Sequence, residues 1–490
     1  MKNVIVIGSG FAGLSAACFM AKAGWNVTVL EKNSQPGGRA RQLKAEGFTF
    51  DMGPSWYWMP DVFERFFNQF NKSVSDYYTL ERLDPSYRIY GRDETIDVPA
   101  DYEALKQLFE KFEPGSAKKL DAFINEAAYK YKVGMQKLVY KPGLSIGELI
   151  DWEVISQLGK LDVFTSVKKH VAKHFKHPFL QQMMEFAVLF LGAMPSKIPA
   201  LYSLMNHADI IGGTWYPKGG MYKIVEAMYS LAKELGVKFE FDKAVQNIEV
   251  DLGKISGVNC SDGFYEADVV IGAADYHHVE NKLLPKEYRS YSDEYWEQKT
   301  MAPGCLIYYV GLNKKLSNIT HHSLFFDADF DVHGKEIYEE PKWPSDPLFY
   351  MSTTSVTDNT VAPQDCENLF LLIPIASGLS NDSTEIREKY FDLIITRLEQ
   401  KLKTSIKDSI IYKRSFSYSD FVNDYNSFKG NAYGLANTLM QTAVLKPKCR
   451  SKKVSNLFYT GQLTIPGPGV PPSLISGEVV AGQVIKNFGV

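Results

Sequence analysis

The sequence predicts an α/β protein in which one discontinuous domain, built on a parallel sheet, carries an inserted mixed α+β domain. Three observations support this prediction. Residues 4–30 have the pattern of a strand, a helix and a second strand. Strand-like segments return between residues 238 and 271, and a final strand and helix are expected over 457–488. A chain of 490 residues is also too long for a single small core.

The first elements form a strand–helix–strand unit. Val4–Ile7 is a continuous apolar run, which is typical of a strand buried on both faces of a parallel sheet. Small and apolar residues over Leu14–Ala23 predict a helix, and Asn26–Leu30 predicts a second strand that leads into Glu31. This order is that of a β-α-β unit.

A glycine-rich turn joins the first strand to the helix. In a GxGxxG turn, the first glycine allows a tight bend, the second lets the backbone approach a pyrophosphate, and the third lets helix and strand pack closely. Glu31 stands where a carboxylate accepts hydrogen bonds from ribose hydroxyls. A turn without a ligand is the alternative, but the strand, helix and acid around it favour a Rossmann-like dinucleotide site. The motif consists of Gly8, Ser9, Gly10, Phe11, Ala12 and Gly13.

A second glycine pair follows the acid, and the guanidinium of Arg39 next to it can bind phosphate oxygens. On its own this motif is a common surface turn. Directly after a dinucleotide fold it indicates FAD rather than a nicotinamide dinucleotide. The residues expected at the cofactor in this extension are Lys32, Gly38, Arg39, Gly53, Pro54 and Ser55.

Helical and strand patterns alternate through the rest of the chain. The predicted helices are Tyr102–Phe112, Ala117–Lys132, Met221–Leu235, Glu385–Leu402 and Ser473–Phe488. The predicted strands are Lys238–Asp242, Val245–Val250, Lys254–Cys260, Phe264–Ile271, Gly304–Leu312, Asn368–Ala376 and Leu457–Gly461. We therefore expect a dinucleotide-binding domain from residues 1–75, 210–290 and 450–490, a helical, membrane-facing substrate region at 76–209, and a second substrate part at 291–449.

Composition argues against several classes of partner. A net charge of −3 argues against nucleic acid as the main partner. The five cysteines are scattered without the spacing of a metal site or a disulfide framework, which favours a reducing, cytoplasmic compartment. His170, His174 and His177 have no acidic or cysteine ligand nearby in the sequence, so no metal site is expected.

Four segments resemble one known family. Val4–Arg41 resembles the FAD-binding start of the amine oxidase and phytoene desaturase superfamily, and Phe458–Ile485 is similar to the closing signature of bacterial-type phytoene desaturases. Asp51–Phe67 and Thr214–Met221 also resemble that family. The resemblance spans the chain in order and length. One departure is Gln462, where the superfamily often carries Ala or Asp.

The resemblance places further residues at the cofactor. Val245 resembles a residue whose backbone meets the adenine, and Asp275 resembles the end of an FAD-domain strand; an ordinary strand residue and a helix cap are the alternatives. A proline-glycine loop and a helix that begins near Ser473 would meet the isoalloxazine, with the positive helix end near its N1–C2=O side. The residues implied there are Gly461, Gly469, Val470 and Pro471.

The implied activity is FAD-dependent desaturation of phytoene towards lycopene, in which a hydride passes to the flavin and a proton is lost. No residue is assigned as catalytic. The lack of cysteine between Cys449 and Val490 favours non-covalent FAD, and a single GxGxxG favours quinone or oxygen over NAD(P) as electron acceptor. The alternatives are a later carotenoid desaturase or isomerase, a flavin amine oxidase, and a lipid-binding protein similar to the prenyl-GTPase dissociation inhibitors.

A membrane contact is expected near residues 168–194. A basic and apolar surface helix can lie in the bilayer interface, and the alternative is a solvated helix face beside a core helix. The apolar runs Phe179–Met184 and Phe186–Met194 are too short to span a bilayer, which needs about 20 residues. A carotenoid hydrocarbon dissolves in lipid and therefore favours peripheral attachment to the cytoplasmic membrane. The basic residues are Lys168, Lys169, Lys173 and Lys176.

Overall fold

The computed structural model describes residues 1–149 and 162–489. The α-helices are α1 (Phe11–Lys22), α2 (Pro60–Asn68), α3 (Tyr102–Phe112), α4 (Ser116–Val133), α5 (Val167–His174), α6 (Pro178–Phe186), α7 (Leu204–Ile210), α8 (Tyr222–Glu234), α9 (Tyr276–Lys282), α10 (Asp293–Glu297), α11 (Phe330–Tyr338), α12 (Thr384–Leu402), α13 (Tyr418–Tyr425) and α14 (Val470–Phe488).

The strands are β1 (Asn3–Ile7), β2 (Asn26–Leu30), β3 (Gln42–Ala45), β4 (Phe48–Asp51), β5 (Leu80–Arg82), β6 (Tyr87–Tyr90), β7 (Thr95–Val98), β8 (Trp215–Pro217), β9 (Lys238–Glu240), β10 (Asn247–Asp251), β11 (Lys254–Cys260), β12 (Gly263–Glu266), β13 (Val269–Gly272), β14 (Gly304–Leu312), β15 (His322–Phe325), β16 (Phe349–Ser352), β17 (Glu367–Ile375), β18 (Ile410–Phe416) and β19 (Leu457–Tyr459).

A parallel sheet forms the first layer, in the strand order β19–β13–β1–β2–β9. β1 pairs with β2 on one side and with β13 on the other, so that Val6 lies opposite both Val29 and Ile271. The strands come from residues 3–30, 238–272 and 457–459, and three distant segments therefore build one sheet. The predicted α/β class with a discontinuous Rossmann-like domain is confirmed.

Helix α1 packs against α8 and α14 beside this sheet. The contact with α14 is very close at Gly477, because a Cβ atom added there would lie 2.4 Å from the carbonyl oxygen of Ala12 and 2.6 Å from Cβ of Ser15. The hydroxyl of Ser15 donates a hydrogen bond to the carbonyl oxygen of Leu474, at 2.7 Å. The final helix is thereby held directly against the helix that follows the glycine-rich turn.

A second sheet has seven strands in the order β18–β14–β17–β16–β15–β6–β7. Its strand β14, second in this order, is buried along its whole length. β6 and β15 pair in parallel, and the other neighbours pair antiparallel. Because β5, β6 and β7 lie within residues 80–98, the region 76–209 begins with strands, and the expected helices start at Tyr102.

Two sequence-predicted boundaries are wrong. Phe264–Ile271 is not one strand: β12 belongs to an antiparallel sheet with β10 and β11, and β13 belongs to the parallel sheet. Hydrogen bonds from the backbone of Ala267 to β11 and of Asp268 to β1 separate the two strands. The last helix begins at Val470, three positions earlier than predicted, because proline is tolerated in a first turn, where N–H groups have no helical partner.

The apolar run Phe186–Met194 lies inside the protein. Ala187 and Val188 are fully buried, and Leu191 is also buried. The prediction that this run faces a membrane is therefore wrong, because its described side chains pack in the core. Among the described residues, the helices lack the combination of length and apolar character that crossing a bilayer requires.

We predict opposite effects for two glycine substitutions within α14. Gly477→Ala should destabilise the protein by about 1–3 kcal/mol, because the added methyl group meets the backbone of α1. Gly482→Ala is the matched control: an added Cβ meets no atom within 4 Å, and alanine is about 1 kcal/mol better than glycine in a helix. Thermal unfolding of the FAD-loaded proteins measures both. A Gly477→Ala protein as stable as Gly482→Ala would contradict the close contact.

Candidate active site

A cavity of 570 Å³ is lined by residues of both the parallel sheet and the seven-stranded sheet. At one end it is lined by Ile7 and Leu30, the last residues of β1 and β2, and at the other by Leu324, Tyr350 and Leu372 of the seven-stranded sheet. The carboxyl edge of a parallel sheet is where α/β proteins bind their ligands. One end is thus suited to a dinucleotide, and the other end is available to a substrate.

Most of the sequence-predicted cofactor residues line this cavity. Ser9 and Gly13 do not, and both are buried beside it. The residues that line it are Gly8, Gly10, Phe11, Ala12, Glu31, Lys32, Gly38, Arg39, Gly53, Pro54, Ser55, Val245, Asp275, Gly461, Gly469, Val470 and Pro471. Residues that are far apart in the sequence are therefore brought to one surface.

The glycine-rich turn has the backbone geometry that its sequence requires. Gly8 has a φ of +100°, which is strained for any residue with a side chain. A Cβ on Gly13 would lie 2.1 Å from the carbonyl oxygen of Gly8, so glycine is needed where the helix folds back on the turn. Gly10 faces the cavity, and a Cβ there would meet no atom within 4 Å. The backbone at Gly10 is therefore open to close approach by a pyrophosphate.

The carboxylate of Glu31 organises this turn. Its Oε2 accepts hydrogen bonds from the backbone N–H and the hydroxyl of Ser9, both at 2.8 Å. Its Oε1 accepts from the backbone N–H and the side-chain amide of Asn33, both at 2.9 Å. These donors occupy the usual capacity of a carboxylate. A ribose hydroxyl would therefore replace one of the two side-chain donors rather than fill an unused position.

Arg39 supplies a half-buried positive charge at the dinucleotide end. Its Nη2 donates to the hydroxyl of Ser427 at 3.1 Å, and its guanidinium lies 5.4 Å from the ring centre of Tyr425. Burial lowers the pKa of Arg39, and the carboxylate of Asp275 opposes that shift. A guanidinium keeps its charge under such conditions and matches the geometry of phosphate oxygens.

Asp275 has the role of a helix cap, which was one of its two interpretations from sequence. It accepts hydrogen bonds from the backbone N–H groups of His278 and Phe428, each at 3.2 Å. It also lines the cavity, so the two interpretations are compatible. Val245 lines the cavity from the loop that precedes β10, and not from the strand in which it was predicted.

The loop before α14 closes the cavity from the side of β19. The backbone N–H of Gly461 donates to the hydroxyl of Ser476 at 3.0 Å, which ties the loop to the helix. Gly461 and Gly469 both have φ values near +115°, a conformation that favours glycine. Pro471 and Pro472 carry no N–H, and the N–H of Ser473 donates to the carbonyl oxygen of Gly469 at 3.0 Å, so Val470 provides the remaining backbone N–H of the first turn.

Sequence reasoning missed most of the substrate end of the cavity. Trp56 and Trp58 lie in the segment that resembles carotenoid desaturases, so they could have been found. Cys305, Tyr350 and Tyr433 lie in ordinary strand and loop patterns that carry no recognisable motif. Their common position is a property of the fold and has no counterpart in residue spacing.

The expectation that no acidic group lies near His170 is wrong. Glu126 and Asp162 each place a carboxylate oxygen within 4.8 Å of a ring nitrogen of His170, and Glu126 is distant in the sequence. Lys130 is fully buried and places its Nζ 2.9 Å from Asp162. Burial, together with the nearby charge of Lys130, lowers the pKa of His170 to about 4. Lysine thus supplies the positive charge that this group of acids requires.

Comparison with known proteins identifies the family. A family model described as flavin containing amine oxidoreductase matches residues 11–485. The chain belongs to this family. FAD is accordingly its cofactor. Within the family its relatives include carotenoid desaturases.

Two of these relatives cover the chain almost completely. A protein of Haloarcula japonica named carotenoid 3,4-desaturase is 42% identical over 489 residues, which is 99% of each chain. A zeta-carotene-forming phytoene desaturase of Myxococcus xanthus is 30% identical over 491 residues, 99% of this chain and 94% of the relative. A solved oxidoreductase from Methanosarcina mazei has the same fold, with a TM-score of 0.64 and 16% identity over 98% of this chain and 100% of that one.

We predict that Glu31→Ala weakens FAD binding by about tenfold or more, because one charge-assisted hydrogen bond contributes about 1.5–3 kcal/mol. FAD titration of the apoprotein gives the affinity, and heat denaturation followed by chromatography gives the amount of bound FAD. Glu240→Ala is the control, since Glu240 is exposed at the end of the neighbouring strand β9. Equal affinity of both variants would show that Glu31 has no part in the site.

Proposed function

We propose that this flavoprotein is a carotenoid desaturase. The observation that carries the proposal is a single cavity with a dinucleotide-binding surface at one end and an apolar surface at the other. The relatives named carotenoid desaturases, which match nearly the whole chain, support it. The apolar end of the cavity is lined by residues that include Phe186, Leu189, Leu191, Met194, Phe326, Phe330, Ile337 and Leu348.

A carotenoid has few or no polar groups, so its recognition depends on shape and apolar contact. FAD supplies the hydride acceptor when it is bound. The protein orients the polyene, excludes water and surrounds the carbon skeleton with aromatic rings. Loss of a hydride leaves a positive charge that is delocalised over the polyene. The faces of Trp56 and Trp58 at the cavity can stabilise such a charge through cation–π contact.

The degree of similarity bears on which carotenoid is the substrate. Identity is 42% with the 3,4-desaturase and 30% with the phytoene desaturase, over nearly equal lengths. We therefore propose 3,4-desaturation of a partly unsaturated carotenoid as the first candidate. Desaturation of phytoene towards lycopene, which the sequence resemblance implies, is the second.

The chemistry of the cysteines supports non-covalent FAD. Cys305 lines the cavity, and Cys449 is the cysteine nearest to the closing loop in the sequence. Burial raises the pKa of each to about 12. A thiol that stays protonated is a poor nucleophile for attachment to a flavin. Quinone or oxygen as the electron acceptor follows from the single GxGxxG turn and from the oxidative direction of the reaction.

Peripheral membrane binding belongs to the same proposal, because the substrate dissolves in lipid. Two surfaces are candidates. The basic surface consists of the exposed residues Lys169, Lys173 and Lys176. The apolar surface consists of the exposed side chains Leu144, Leu439, Met440 and Leu445, with Met440 72% exposed. Its two segments adjoin, because Gly143 lies against Ala443 and Ile465. We favour the apolar surface, since Ile465 belongs to the loop that closes the cavity.

We predict that the protein oxidises a carotenoid in liposomes without added NAD(P). Phytoene and partly unsaturated carotenoids are tested separately under anaerobic conditions, with and without a soluble quinone. If a partly unsaturated carotenoid bleaches the flavin absorbance and phytoene does not, the result supports the first candidate. Bleaching by phytoene would support the second. An enzyme whose flavin is bleached by no carotenoid, but is bleached by amines, would refute the proposed function.

We predict that introducing negative charge on the exposed apolar surface abolishes membrane binding. Met440→Asp/Leu445→Asp should move the protein from the floating to the soluble fraction in flotation with anionic liposomes, because carboxylates resist transfer into the bilayer. Lys169→Glu/Lys173→Glu/Lys176→Glu is the comparison and should reduce binding mainly at low salt. If the lysine variant loses all binding while the aspartate variant still floats, the basic surface is the membrane contact.

A further inference from the structure

A tyrosine that lines the substrate end of the cavity faces a histidine buried directly behind it. Tyr350 of β16 lines the cavity, and its hydroxyl lies 2.7 Å from Nδ1 of His322 on the adjacent strand β15. In the register of these strands, His322 is opposite Ser352 and Tyr350 is opposite Leu324. Tyr350 and His322 are therefore diagonal neighbours on one face of the sheet.

The imidazole of His322 is held in a fixed position away from solvent. It is fully buried, and it stacks on the ring of Trp56 with a centroid distance of 4.0 Å and an interplanar angle of 14°. Nε2 of His322 has no hydrogen-bond partner among residues 1–149 and 162–489. A buried polar atom without a partner reduces stability, so a role in the reaction would account for this histidine better than folding does.

The pair formed by Tyr350 and His322 also lies next to a loop that is expected at the cofactor. Tyr350 also contacts the hydroxyl of Ser55, which continues the loop Gly53–Pro54. Gly53, Pro54 and Ser55 all line the cavity and are residues expected at the cofactor. The hydroxyl of Tyr350 thus lies at the side of the substrate end that contacts a cofactor loop, so a substrate carbon that approaches the flavin passes near it.

His333 is another imidazole at the cavity, but both of its ring nitrogens have hydrogen-bond partners. His333 lines the apolar half, but its Nδ1 accepts a hydrogen bond from the backbone N–H of Leu348 at 2.8 Å. Its Nε2 lies 3.0 Å from the carbonyl oxygen of Pro374 and donates to it. His333 is thus fixed as a neutral tautomer with both nitrogens engaged. His322 has a neutral ring as well, because burial lowers its pKa well below the usual value.

We propose that Tyr350 and His322 remove the proton that a substrate loses when it is desaturated. Once a hydride has left the substrate for FAD, the C–H bond on the neighbouring carbon breaks and its electron pair forms the new double bond. The proton passes to Oη of Tyr350 as the original hydroxyl proton moves to Nδ1 of His322. Tyr350 is then a catalytic residue, and His322 is a positioning and proton-holding residue that acts through it.

The surroundings of His322 fit a transient positive charge. The face of Trp56 against the ring can stabilise an imidazolium. The ring of His321 lies 4.5 Å from that of His322, and the carboxylate of Asp358 raises the pKa of His321 against the effect of burial. A second imidazole and a carboxylate thus lie behind the pair, on the side away from the cavity, for return of the proton to solvent.

The proposal rests on the proposed function and is tested on the FAD-loaded enzyme with the carotenoid that the wild type desaturates. Tyr350→Phe keeps the ring and removes the hydroxyl, and His322→Gln keeps a hydrogen-bond acceptor that cannot hold a proton. We expect each to lower kcat about 100-fold with KM and FAD content unchanged, because general-base assistance typically contributes at least that much. The double variant should be no slower than either single variant, because the two residues act as one unit.

An isotope effect separates proton removal from a merely structural role. With substrate deuterated at the carbon that loses the proton, we expect no rate change in the wild type and a clear slowing in both variants, where proton removal limits the rate. Tyr308→Phe is the matched control: Tyr308 is a buried tyrosine of the same sheet that does not line the cavity, and its hydroxyl donates to the carbonyl oxygen of Arg387. It should keep wild-type kcat.

The failure of this proposal differs from the failure of the proposed function. If no carotenoid bleaches the wild-type flavin, the function is wrong. If the wild type is active and both variants keep rates within a few-fold of it, or slow without an isotope effect, the proton-removing role is overturned. If Tyr350→Phe loses FAD, the kcat and isotope effect of His322→Gln decide alone.

Discussion

A carboxyl group that is 4% exposed destabilises the protein interior unless its oxygens are hydrogen-bonded, and Glu31 meets this requirement through Ser9 and Asn33. Those hydrogen bonds fix the glycine-rich turn after β1 against the segment that follows β2. The glycine-rich turn determines where α1 begins, and the position of α1 determines where α14 can pack. The whole dinucleotide end of the cavity therefore depends on one buried acid and its donors.

The substrate end follows the opposite physical principle. Apolar and aromatic side chains exclude water there, and the few polar groups are neutral, with their hydrogen bonds directed at one another or at the backbone. Such a surface can hold a long hydrocarbon without competing for it through polar contacts. A positive charge that appears on the hydrocarbon during the reaction meets aromatic faces rather than water. One cavity thus combines a charged and a neutral environment along its length.

The sequence predicted the fold most accurately where local pattern and tertiary role coincide. Val4–Ile7 and Gly8–Gly13 have a fixed order that only a β-α-β unit explains, and they form one. The prediction that Phe186–Met194 contacts a membrane was wrong, because an apolar run has the same composition whether it lines a cavity or lies in a bilayer. Phe264–Ile271 was read as one strand, because the change from one sheet to another leaves no mark in residue type. Tyr350 and His322 were not found, since their proximity comes from the strand register.

The order of the segments in the chain also has a consequence for biosynthesis. β19 and α14 leave the ribosome after the rest of the FAD domain, yet β19 covers the edge of β13 and α14 covers α1. Until they arrive, a nascent chain exposes an unpaired strand edge and the helix face around Ala12 and Ala16, surfaces on which chaperones and proteases act. The cofactor pocket is complete only after β19 and α14 have been synthesised, so FAD uptake distinguishes chains that contain these two elements from chains that stop before them.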